Sequence, residues 1–144
     1  MRILVLNCGS TSLKLKLFAM PHEQVLAEGA IDRLGSDRSR VRLVARGKGG
    51  ATEERVLAQP VADHHQGISL MLALLEQTGA KGPEVVAHKL AHGGERFTGA
   101  VRLDREVLEA VRALNPLAPL HNPPMLRGVE VCAQLLPGIP QYGV

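Results

Sequence analysis

The sequence predicts an α/β protein built on a mixed sheet with flanking helices. Two observations predict it. The chain opens with an unbroken apolar run, Ile3 to Leu6, then a small polar turn, then a run that alternates leucine with lysine from Leu13 to Leu17. Further on, three apolar stripes recur at helical spacing, with a strand-like segment, Glu84 to Ala87, between the first and the second. Hairpins at the start followed by strand–helix units define a sheet with helices laid on it.

The elements follow in order. The continuous run Ile3–Leu6 is expected as a strand buried on both faces. Leu13–Leu17 is a half-buried strand with Lys14 and Lys16 on one face. The short link between them suggests an antiparallel hairpin, with Gly9 supplying a backbone angle closed to other residues. Val25–Ile31 and Val41–Ala45 are further strands, and Gly47–Gly50 reads as a surface loop or hairpin turn. Asp63 is an N-cap for a helix whose buried stripe is Ile68, Met71, Leu72 and Leu75, stopped at Gly79. Asp104 caps a second helix with Val107, Leu108, Val111 and Leu114 inward. Asn122 followed by Pro123 starts a third, lined by Met125, Val129, Cys132 and Leu136 and ended by Pro137-Gly138. The expected order is three or four antiparallel strands, a helix, a strand and two helices. The tail from Ile139 reads as the approach to one more strand, with the chain stopping before that strand is made.

Length and composition bound what these elements build. The chain has 144 residues, 45% hydrophobic and 22% charged, which suits one globular domain spanning 1–144. A net charge of +3 is mildly basic, but the basic residues are dispersed and only 2% of the chain is aromatic, so a nucleic-acid partner is not expected. Cys8 and Cys132 make neither a disulfide framework nor a zinc site and read as buried thiols. No segment approaches a membrane span, the N-terminal run is too short for a signal peptide, and a cytoplasmic, membrane-free location is expected.

Three clusters carry candidate chemistry. The first is Asn7-Cys8-Gly9-Ser10-Thr11-Ser12-Leu13-Lys14. Gly9 allows close backbone approach, the hydroxyls and N–H groups of residues 10–12 suit an anion, and Lys14 reaches the same space. Asn7, at the strand end, is placed to orient a hydrated metal or an anionic oxygen. This is not a P-loop, since the Gly-Lys-Ser/Thr ending is absent. An ordinary hairpin with an exposed polar turn fits the same residues.

The second cluster is His88-Lys89-Leu90-Ala91-His92-Gly93-Gly94-Glu95-Arg96-Phe97. His88 and His92 share a strand face, which is half a metal site or, more commonly, a pair of packed histidines. Lys89 and Arg96 suit an anionic substrate. In the third, Leu117-Ala118-Pro119-Leu120-His121-Asn122-Pro123, His121 sits just before a helix N-terminus, where anions are favoured; a histidine without a role fits as well. Arg33, Arg38, Arg40, Arg42 and Arg46 read as a solvated face.

Together, in this order and spacing, the three clusters resemble those of the acetate kinase family, within the acetate/butyrate kinase group. The resemblance runs from end to end of the chain. It implies a sugar-kinase/actin-like domain with a ribonuclease-H-like sheet, short of its last strand. It also implies transfer of a phosphoryl group from ATP to acetate with Mg²⁺, giving acetyl phosphate and ADP. On the matching positions, Asn7, Ser10, Ser12 and Lys14 would handle the nucleotide phosphates, with Asn7 at the metal-bound end. His121 would stabilise the phosphoryl group in flight, Lys89 would hold the acceptor, and Ala91 and Leu120 would line the acyl pocket.

Two departures qualify the resemblance. The family has Arg where this chain has Lys89, which keeps the charge but loses the planar two-pronged grip on a carboxylate or phosphoryl group. Ala91 stands where Val is common, leaving a roomier pocket that would admit longer acids. Family members are also much longer and carry a second domain with most of the adenosine site. The chain is therefore expected to be an N-terminal portion, inactive alone, with a homodimer mate or a complementing second-domain chain as partner. A non-catalytic interaction module or half of a split enzyme, and a propionate or butyrate kinase, are the alternative functions.

Overall fold

The computed structural model describes residues 1–89, 99–117, 119 and 122–144. The first five strands form an antiparallel meander: β1 (Arg2–Cys8), β2 (Leu13–Ala19), β3 (Gln24–Asp32), β4 (Arg40–Arg46) and β5 (Thr52–Ala58). Helix α1 (His64–Gln77) then crosses to β6 (Val85–His88), which pairs in parallel with β1. The chain continues through β7 (Val101–Arg102), α2 (Arg105–Arg112), α3 (Asn122–Leu135) and β8 (Gln141–Gly143). Among the described residues the sheet order is β5-β4-β3-β2-β1-β6-β8-β7, so it is mixed, as the sequence predicts.

One face of the sheet holds the core. Leu4, Leu6 and Cys8 of β1, Leu13, Leu15 and Leu17 of β2, and Val41, Leu43 and Ala45 of β4 are all buried, at the two-residue period of a strand. They pack with Ile68, Met71, Leu74 and Leu75 of α1 and with Val131 and Cys132 of α3. Each such leucine contributes about 1.5–3 kcal/mol relative to exposure. A smaller cluster of Val107 and Val111 with Met125, Leu126 and Val129 seats α2 on α3.

Two helix starts are as expected, whereas α3 begins at Asn122 itself, the residue expected as its cap. Asp63 Oδ1 accepts from the Gln66 N–H at 2.9 Å, and Asp104 Oδ1 accepts from the Val107 N–H at 2.9 Å. Gly79 (φ +79°) and Gly138 (φ +81°) follow α1 and α3 in the left-handed conformation.

Four further features differ from expectation. β1 is buried on one face only: Ile3 and Val5 are half-buried and Asn7 is exposed, because α1 and α3 lie on the side of Leu4 and Leu6. Gly9 is not in the left-handed region; a side chain there would instead crowd Ser12 Oγ, as described below. β5 is an additional strand. Its sequence, Thr-Glu-Glu-Arg-Val-Leu-Ala, is polar enough to resemble a loop but pairs along its whole length with β4. The tail goes further than the sequence suggests: Gln141–Gly143 forms β8, in parallel with Val86–His88 of β6.

Candidate functional site

The sheet face opposite the core carries the candidate chemistry. Asn7 and Lys14 are cross-strand partners in the β1–β2 ladder, so both side chains leave the sheet on that face. The Lys89 N–H donates to Leu6 O at 3.0 Å, which extends the β6 pairing and sets Lys89 beside Asn7. Lys89, Asn7 and Lys14 thus form a row across three adjacent strands, all exposed. The row lines one concavity of about 850 Å³ with Val5, Phe18 and Val44. Lys16, Arg42 and Arg46 also line it against one carboxylate, Glu28, so the surface is cationic. Lys16 and Arg42 are ion-paired, to Glu28 at 3.5 Å and Glu54 at 2.7 Å. Among the described residues, neither Lys14 nor Lys89 is paired with a carboxylate.

The turn at the head of β1 and β2 is shaped by glycine. Gly9 N–H donates back to Ser12 O at 2.9 Å. A Cβ on Gly9 would stand 2.6 Å from Ser12 Oγ, so no other residue fits without movement. Two carbonyls of the turn are occupied from the protein side: Thr11 O accepts from the Leu34 N–H at 2.9 Å, and Gly9 O from His64 Nε2 at 2.7 Å. The N–H groups of Ser10, Thr11 and Ser12 find no acceptor among the described residues. Successive open N–H groups beside a lysine suit a polyanion. Ser10 is exposed and Ser12 half-buried; both lie in the turn, outside the lining of the concavity.

His88 points the other way. It is buried under α3, and its Nε2–H donates to Gln141 Oε1 at 2.6 Å while Gln141 Nε2 donates to Val129 O at 3.2 Å. Burial pushes the imidazole down to about 4 against the pull of the Gln141 bond, so it is neutral and structural. Its expected companion, His92, lies outside the described residues, as do Ala91, Leu120 and His121.

The cysteines are buried and free, with the Cys8 thiol pushed up to about 12 by burial and by Cys132, and Cys132 likewise by burial. Cys8 packs where Gly128 opens space on α3: a Cβ there would meet Cys8 Sγ at 2.7 Å. His64 is the residue that sequence reasoning missed. Its only sequence signal is a place immediately after the Asp63 cap, and its partner is a main-chain carbonyl far away in the chain.

A divalent metal fits these residues only indirectly. No group of three or more His, Cys, Asp or Glu is gathered among the described residues. Asn7 offers one neutral amide oxygen, whereas Mg²⁺ is ordinarily held by carboxylates, waters and substrate phosphates. The donors present suit phosphate oxygens, and a metal would arrive with them.

Comparison with known proteins bears on the family and the fold. The family model described as the Acetokinase family matches residues 2–144. The chain is 43% identical to an acetate kinase of Bacteroides thetaiotaomicron over 150 aligned residues, covering all of this chain and 37% of that protein. It is likewise 43% identical to one from Alkaliphilus metalliredigens, again over 37% of its length. The crystal structure of Porphyromonas gingivalis acetate kinase superposes with a TM-score of 0.89 at 40% identity, over 99% of this chain and 36% of that one. A propionate kinase from Francisella tularensis follows at 0.85 and 28%, covering 99% and 36%. The mixed sheet with flanking helices is therefore that of these kinases, and the chain spans about 37% of the length of the curated relatives it matches.

Proposed function

The chain belongs to the acetokinase family, and on that premise we propose that it supplies the phosphate-holding side of a site that transfers the γ-phosphoryl group of ATP to acetate. The observation that carries this reading is the row Lys89, Asn7, Lys14 beside a turn with three open N–H groups.

In this transfer a carboxylate oxygen of acetate attacks the γ-phosphorus while the bond to the ADP oxygen breaks, giving acetyl phosphate and ADP. Such reactions ask a protein mainly for positioning and charge neutralisation. The N–H groups and hydroxyls of Ser10 and Ser12 bind phosphate oxygens, and Lys14 neutralises their charge. Lys89 draws the acceptor carboxylate in from the neighbouring strand. His121 stabilises charge on the transferring group, and Ala91 and Leu120 close on the acyl methyl; these three roles rest on the resemblance of their motifs. Mg²⁺, when bound, would neutralise phosphate oxygens, with Asn7 meeting its hydration shell. By the family resemblance, the adenosine half of the site would be supplied by the rest of the relatives' length, of which these residues match about 37%; the role proposed for the residues here is to hold the phosphates.

A second reading, a longer acceptor such as propionate, is favoured by the small Ala91 and by the likeness to a propionate kinase.

Titration of the ¹⁵N-labelled chain with ATP and Mg²⁺ tests the proposal. The amides of Asn7, Ser10, Ser12 and Lys14 are expected to shift together along one saturable curve. Still amides at the turn, with or without shifts elsewhere, would overturn it.

A further inference from the structure

We infer that His64 is a positioning residue for the phosphate turn: it holds the Gly9–Ser10 peptide in the orientation that keeps the Ser10 N–H open to an anion. The inference rests on the phosphate reading of the turn and adds a residue to it.

The geometry is direct. His64 is 8% exposed and opens α1. Its Nε2 lies 2.7 Å from Gly9 O, and a carbonyl only accepts, so Nε2 carries the proton. The Gly9–Ser10 peptide is trans, since the cis bond of the described residues is Met20–Pro21. In a planar trans peptide the C=O and the following N–H point in opposite directions. Tying Gly9 O down to α1 therefore turns the Ser10 N–H away from α1. Without that tie the peptide is free to flip, and a flip would present a carbonyl oxygen to the anion in place of a donor.

The anchor is itself rigid. Asp63 caps Gln66, Gln66 Oε1 accepts from the Ala62 N–H at 3.0 Å, and Gly67 N–H donates to Asp63 O at 3.0 Å, which fixes the first turn of α1 around His64. The neighbouring carbonyl, Thr11 O, is held by Leu34 N–H at 2.9 Å, and Gly35 N–H reaches Val61 O at 2.8 Å. The β3–β4 loop, the start of α1 and the phosphate turn are thus one bonded unit, in which His64 is the side chain that reaches Gly9.

The test compares His64→Leu, which fills the space without a donor, with His64→Gln, which keeps an N–H near the position of Nε2. Inorganic tripolyphosphate is titrated into the ¹⁵N-labelled chain, and the amides of residues 10–12 are followed. His64→Leu is expected to weaken tripolyphosphate binding about tenfold, the size of one lost hydrogen bond. His64→Gln is expected to restore most of it. Core amides such as Leu43 and Val86 are expected to stay unmoved in both variants. Long-range ¹H–¹⁵N spectra of the wild-type imidazole are expected to place a proton on His64 Nε2, and they read this even if His64→Leu fails to fold. Undiminished binding by His64→Leu, or an unprotonated Nε2, overturns the positioning role and leaves the phosphate reading intact. A wild-type turn that ignores tripolyphosphate overturns the phosphate reading, and the role of His64 with it.

Discussion

Lys14 stands directly across the β1–β2 ladder from Asn7, so an ammonium and a carboxamide leave the sheet side by side, next to the Gly9–Ser12 turn. Lys14 is exposed and, among the described residues, unpaired with a carboxylate. Lys14→Met is therefore expected to leave stability within about 0.5 kcal/mol. Its affinity for tripolyphosphate should fall about ten- to a hundredfold, the worth of a charge-assisted contact. Calorimetric titration and a thermal melt on the same sample check both halves. Equal affinity in the variant would remove Lys14 from the site.

Gly9→Ala tests the shape of the turn. The new methyl would meet Ser12 Oγ at 2.6 Å, so the serine side chain must turn away, at a cost of about 0.5–1.5 kcal/mol. Removing that oxygen with Ser12→Ala leaves Ser12 O at 3.8 Å and Ser12 Cβ at 3.9 Å, ordinary contacts, so the double variant should recover most of the lost stability. Phosphate binding should not recover, because the Ser12 hydroxyl is gone. Urea midpoints and tripolyphosphate titrations of the three variants separate these effects.

His88 makes stability depend on pH. Burial holds it down to about 4 in the fold, against 6.5 when free. The unfolded chain therefore binds the extra proton between these values, and the fold does not. The contribution of neutral His88 is complete above pH 6.5 and is lost as pH falls toward 4, by up to about 3 kcal/mol. Urea unfolding at pH 7.0 and pH 5.5 should show a steeper loss for the wild type than for His88→Gln. Parallel slopes would show that His88 is not buried neutral.

Lys89→Arg tests the acceptor side, in a chimera whose remaining length comes from the Bacteroides thetaiotaomicron acetate kinase. A planar fork adds a second charge-assisted bond to a carboxylate, and the KM for acetate should fall about fivefold. Unchanged KM and kcat would mean that Lys89 does not touch the acceptor.

The legible parts of this fold were those with a period. Leu13–Leu17 alternates because one face packs on α1 and the other carries lysines, and Asp63 and Asp104 announce their helices by capping them. β5 was illegible because an edge strand with half-buried and exposed positions has no apolar stripe to show. β7 is too short to carry a pattern at all. The one-sided burial of β1 could not be read from Ile3–Leu6, since a continuous apolar run looks the same with one face covered or two. At the site, Asn7, Lys14 and Lys89 were legible as residue types beside small polar turns, and sheet register brought them together. The reason for Gly9 was not legible: the constraint is a contact with Ser12, not a backbone angle. His64 was hidden because it binds a main-chain carbonyl 55 residues earlier, a relation that no local spacing encodes.

The central claim is that these residues form the phosphate-holding side of an acyl-kinase site. The same chimera measures it most directly, by trapping acetyl phosphate as the hydroxamate after incubation with ATP, Mg²⁺ and acetate. Hydroxamate is expected from the chimera and is expected to be lost on Lys14→Met at unchanged thermal stability. A folded chimera that forms no acetyl phosphate, or one in which Lys14→Met works as well as the parent, would contradict it.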